Sequence, residues 1–148
     1  MSRRSTEQAV ARAAPIESAR EAAGVAGAGG PGTADPVAGE LRRAGIVPLL
    51  VLHLLSAGPS YGNALIEGIS VCSGGLIDVN PNTMYPLLRS LEEQGLVTGE
   101  WEHPERRSRR FYAITAEGEK ERARLASAVT PRLAEVAGSL ERLRSELA

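Results

Sequence analysis

Several things are scarce in this chain of 148 residues, and each scarcity excludes something. There is one cysteine, Cys72, so neither an internal disulfide framework nor a cysteine-built zinc site is available. That single thiol fits a reducing compartment, and a cytoplasmic protein is expected. Residues 1–14 carry arginines but no apolar run of the kind a secretory leader needs. No stretch is apolar and long enough to span a bilayer. The richest, Ile46 to Leu55, is interrupted by Pro48 and His53, so no membrane partner is expected. Formal net charge is −1, so any basic surface must be local. Aromatics make up only 3% of the residues, and a core must come from Leu, Val, Ile and Ala. Phosphate loops, nucleophile elbows and HExxH signatures are absent, and so is any constellation for acid–base work. The reading is therefore not an enzyme, and no cofactor is expected.

What is present begins with a biased extension. Residues 1–36 are rich in Ala, Gly, Arg and Glu, and 24–32 (GVAGAGGPG) read as a flexible linker. This region is expected to be a disordered extension with few large apolar side chains to dock. Residues 37–115 read as one compact unit. Leu41, Ile46, Leu49, Leu50, Leu54 and Leu55 predict a strongly apolar first helix, with Pro48 at its true start or at a kink. Ala57-Gly58-Pro59-Ser60 ends it, and Ser60 is expected to cap a second helix through Tyr61, Leu65, Ile66 and Ile69. Ser73-Gly74-Gly75 closes that helix. A short extended piece, Leu76 to Val79, follows.

The chain is organised around Asn80 to Val97, NPNTMYPLLRSLEEQGLV. Met84, Leu87, Leu88 and Leu91 fall at i, i+3, i+4 and i+7, one apolar stripe of a helix. Asn80 or Asn82 caps its start, Pro81 suits the first helical position, and Gly95 supplies a left-handed stop. The opposite face carries Asn82, Thr83, Tyr85, Pro86, Arg89 and Ser90. Such a face, narrow and rich in donors, suits entry into a major groove. It also suits an ordinary solvated helix.

After Gly95 the period changes. Leu96 to Glu102 and Arg109 to Ile114 are strand-like, separated by a polar turn, and predict a β-hairpin with a basic tip of Arg106, Arg107, Arg109 and Arg110. These arginines can reach phosphates beside the helix. Thr115 then caps a last helix, with Glu117 and Glu119 favourable to its dipole. Within it Leu125, Val129, Leu133, Val136, Leu140, Leu143 and Leu147 form a heptad-like seam. Residues 116–148 thus read as a dimerisation helix, with Leu41 helping. Thr130-Pro131 either kinks it or starts a fresh helix. The fold class is mainly α with a small hairpin wing: a winged helix-turn-helix plus a C-terminal dimerisation helix.

The ordered set LLVLHLLSAGPSYG (Leu49 to Gly62), NPNTMYPLLRSLEEQGLV, GEW (Gly99 to Trp101) and RRFYAITAEG (Arg109 to Gly118) resembles the PadR family of bacterial transcriptional regulators. The resemblance covers roughly 41–125. It implies a homodimeric repressor that binds double-stranded DNA at a palindromic operator and is often released by a small-molecule effector. It also implies that the helix matching Asn80 to Gln94 enters the major groove with Tyr85 on the DNA side. The sequence departs from the family at Asn63, Ala64 and Ala113, where an aromatic, an acidic and a basic residue are common. A winged-helix module that binds protein, or that serves mainly as a small-molecule receptor, is the competing reading. Cations on both helix and wing distinguish the two.

Three other residues have two readings each. Trp101 reads as an apolar anchor of the hairpin, or as a stacking partner for an effector or base. His53 reads as a core or interface histidine, or as a pH sensor. Cys72 reads as inert packing, or as a redox switch. His103 lies in the wing, too far from His53 and Cys72 in sequence to suggest a metal site.

Overall fold

The computed structural model describes residues 35–105 and 109–148. The expectations for the extension before Asp35, and for Arg106 and Arg107, lie outside the described residues. Asp35 caps α1 (Pro36–Ala44), its carboxylate accepting from the Val37 and Ala38 amides. Pro36 takes the first turn, where a missing N–H costs nothing. Gly45, at φ 99°, ends α1 in a left-handed turn, and α2 (Ile46–Ser56) starts at once. The single apolar helix expected over Leu41 to Leu55 is therefore two. Only glycine enters that φ region at little cost, and Pro48 falls in the first turn of α2, where its N–H would have no partner.

A second correction follows at Ser60. Ser60–Tyr61 form a short strand, β1, and α3 (Gly62–Cys72) begins with no side-chain cap. Ser73 ends α3, followed by Gly74 and Gly75 at positive φ. After the extended residues 76–79, α4 (Pro81–Glu93) is capped by Asn80, whose Oδ1 accepts from the Thr83 amide at 3.0 Å. Gly95, at φ 78°, terminates this segment as expected. Strands β2 (Val97–Trp101) and β3 (Arg110–Ile114) make the hairpin. β3 is the centre of a three-stranded antiparallel sheet, paired with β1 through Ser60–Tyr112 and Tyr61–Phe111. Finally α5 (Ala116–Leu147) runs unbroken through Pro131, so the alternative of a fresh helix there is not realised.

The core gathers the inner faces of α2, α3 and α4 under the sheet. Leu52, Leu55, Leu65, Ile69, Met84, Leu88 and Val97 are fully buried. Each large aliphatic chain so buried contributes about 1.5–3 kcal/mol. Ile77 and Val79, from the extended segment, are buried in the same core. Leu41 and Val129, expected in a dimer interface, lie buried in the protomer's own core, and Leu125 packs against it. Cys72, read as inert packing, is exposed instead, and His53 is exposed on the protomer, which excludes the core reading for it.

Thr115 joins the end of α4 to the start of α5. Its hydroxyl donates to the Gly95 carbonyl at 2.7 Å and accepts from the Gly118 amide at 3.0 Å. A Cβ on Gly118 would lie 2.1 Å from the Leu96 carbonyl oxygen, a backbone atom that cannot step aside. Gly118→Ala should therefore cost about 1–3 kcal/mol by overpacking. Urea unfolding should show a lower midpoint, and an unchanged midpoint would contradict this packing.

Candidate nucleic-acid interface

Three elements set the geometry. The inner stripe of α4 is locked by Met84, Leu88 and Leu91, all buried. A helix clamped on that side must show the opposite side to solvent. Exposed there are Asn82, Pro86, Arg89 and Glu93, spaced 4, 3 and 4 residues apart, which makes one continuous ridge. Among the described residues, no hydrogen bond or ion pair is found at Arg89. Pro86 gives up the amide bond to the Asn82 carbonyl in the second turn, within a helix that stays regular. Thr83 is half-buried and Asn80 is engaged as the cap.

Tyr85 leans sideways from this ridge onto α3. Its hydroxyl donates to Asn63 Oδ1 at 3.1 Å, and its ring covers Gly62 so closely that a Cβ there would sit 2.5 Å from Cε1. Asn63 is thus the residue that orients the tyrosine.

The wing arginines have distinct surroundings. Arg109 faces outward, paired with Glu102 at 3.3 Å and lying 4.0 Å over the Tyr61 ring. Tyr61 stacks on Phe111 at 4.4 Å and donates its hydroxyl to Glu102 at 3.2 Å. The Glu102 carboxyl is held below the usual carboxylate range, chiefly by the Arg109 hydrogen bond, against a weaker opposing effect of desolvation. Arg110 points to the other face of the hairpin and pairs with Glu92 of α4 at 2.9 Å. Trp101, at 37% exposure, lies outside the buried core, with the Arg110 guanidinium 5.2 Å from its ring. Glu92 and Asn63 were not among the residues expected to shape this surface. Their partners stand 18 and 22 positions away, and only the fold brings them together.

A three-helix unit with an outward ridge on its last helix, followed by a two-stranded wing, is the winged helix-turn-helix arrangement. The model of the transcriptional regulator PadR-like family matches residues 51–124. The chain belongs to the PadR-like family of transcriptional regulators. A PadR family regulator from Eggerthella lenta is 38% identical, with 68% of this chain and 85% of that one covered at a TM-score of 0.52. A PadR-like transcription factor from Bacteroides fragilis is 27% identical over 72% of this chain and 99% of its own, at 0.51. A transcriptional regulator from Clostridium thermocellum is 26% identical over 66% and 88%, again at 0.51. No curated protein matches. The protein is thus a PadR-like winged-helix DNA-binding regulator, and among its described residues no helix is long and apolar enough to cross a membrane.

Proposed function

We propose that this PadR-like protein is a cytoplasmic homodimeric repressor whose two α4 helices read a palindromic operator. The observation that carries the reading is the α4 ridge: a rigidly seated helix with an exposed Arg89 between Asn82 and the wing. Arg89 supplies the base-edge or phosphate contact, and Asn82 a further donor and acceptor. Thr83 and the Asn80 cap keep the helix start rigid, and Pro86 offers an apolar contact without a competing amide. Tyr85 packs beside the duplex, its hydroxyl exchanging Asn63 for a phosphate. Arg106, Arg107 and Arg109 meet the backbone and set the register.

The seam on α5 supports the second protomer. Leu133, Leu140, Leu143 and Leu147 are 38%, 53%, 58% and 85% exposed, and Val136 is half-buried. A row of leucines at heptad spacing needs a partner, and a second copy of the same helix is self-complementary. The roles of Leu41, Leu125 and Val129 in that assembly are indirect: they hold α5 on its own protomer. A small-molecule effector releasing the operator would sit between protomers. The open cleft between α2 and α3, lined by Leu54, Pro59, Ala64 and Leu65, holds about 290 Å³ and does not enclose a ligand.

Sequencing the fragments of its own genome that the purified protein retains tests this reading. The expected result is an inverted repeat with half-sites about one or two helical turns apart. Retention without a shared sequence, at salt-sensitive affinity only, would favour the protein-binding or receptor reading.

A further inference from the structure

We infer that Arg110 is a positioning residue, which through Glu92 fixes the wing's angle against α4, and that it does not contact DNA. The inference rests on the operator-binding reading for its functional consequence, but its geometry stands alone. Arg110 Nη2 donates to Glu92 Oε2 at 2.9 Å, and the two side chains are only 28% and 35% exposed. The guanidinium lies 5.2 Å from the Trp101 ring and 5.8 Å from that of Tyr112. Trp101 is the cross-strand partner of Arg110, and Gly99 is that of Tyr112. A Cβ on Gly99 would lie 2.3 Å from Arg110 Nη2. The missing side chain of Gly99 is thus the channel through which the guanidinium passes from β3 to α4.

A planar cation within about 6 Å of two aromatic rings and paired with a carboxylate is attracted by all three. Its carboxylate comes from the recognition helix and its rings from the wing, so the group joins the two elements that must meet DNA together. The alternation of β3 puts Arg109 on the opposite face. Adjacent arginines therefore have different tasks.

The test uses two variants that both keep the Arg110 charge. Glu92→Gln removes the partner's negative charge, and Gly99→Ala fills the channel and expels the guanidinium. If Arg110 served as a phosphate contact, Glu92→Gln would leave operator binding unchanged or tighten it, because an acidic group near the duplex is lost and the arginine is released. Positioning predicts the opposite sign, a fall of about three- to twentyfold in operator affinity for each variant dimer. Trp101 is the chain's one tryptophan, so its emission reports the same geometry without DNA. Both variants should shift its emission maximum and raise its quenching by iodide, while circular dichroism shows the helices intact. Unchanged Trp101 emission in both folded variants overturns the inference, and so does operator binding equal to or tighter than the parent's. If the parent retains no operator, the repressor reading fails, and the Trp101 response alone decides whether the pair holds the wing.

Discussion

A chain carrying Leu133→Glu and Leu140→Glu is expected to sediment as a folded monomer. The two leucines lie beyond Val129, the last α5 residue in the protomer's core, on a stretch whose side chains, Val136 apart, are exposed. Glutamate is a good helix former, so the isolated helix tolerates it. In a dimer the same change is severe. Each buried leucine lost costs about 2–5 kcal/mol, and each of four carboxylates must lose water or face another carboxylate. The Arg132 pairing with Glu40 is intramolecular and should hold α5 on α1 in the monomer. Equilibrium sedimentation with circular dichroism checks both halves. A dimer of unchanged affinity would move the interface off α5, and loss of helix would show that the protomer does not stand alone.

The second large effect concerns reading itself. Arg89 is the exposed cation of the α4 ridge, and a dimer presents it twice. Losing a bidentate contact to a base costs about 1–3 kcal/mol per half-site, so Arg89→Ala should weaken operator binding by about 2–6 kcal/mol in the dimer. Two chemistries are separable. A base contact makes the loss specific and relaxes preference at one base pair of each half-site. A phosphate contact weakens operator and scrambled DNA alike and flattens the dependence on salt. The surrounding charges sharpen the expectation. Glu93 follows Arg89 on the same ridge, and Glu92 holds Arg110, so few cations can compensate.

The features legible in the sequence were those written in a few adjacent residues. Asn80-Pro81 and Gly95 mark both ends of α4 because a cap, a first-turn proline and a left-handed stop act locally. Thr115 with Glu117 marks the start of α5 in the same local way. The hairpin shows in the change of apolar period after Gly95. Gly45 was harder to read. A glycine inside an apolar run suits a tolerated interior position as well as a stop, and only the packing of α1 on the rest selects the stop. Ser60-Tyr61 resembles a capping site locally, yet its pairing with β3 lies about fifty residues away. Continuity through Pro131 depends on a helix already anchored at Val129 and carried past the missing amide. The roles of Arg109 and Arg110 look identical in a run of arginines. The strand alternation sends one outward and the other to Glu92. Asn63, a departure from the family pattern, acquires meaning only from the Tyr85 hydroxyl beside it.

The most direct test of the account is a titration of parent and Arg89→Ala dimers against operator and scrambled duplexes at several salt concentrations, with sedimentation confirming that the variant remains a dimer. The account predicts that the variant loses operator affinity by roughly thirtyfold or more. Preference for operator over scrambled DNA should shrink if a base is read, and the salt slope should flatten if a phosphate is held. A folded Arg89→Ala dimer that binds the operator as tightly as the parent, with the same salt slope, would contradict the assignment of α4 as the reading helix.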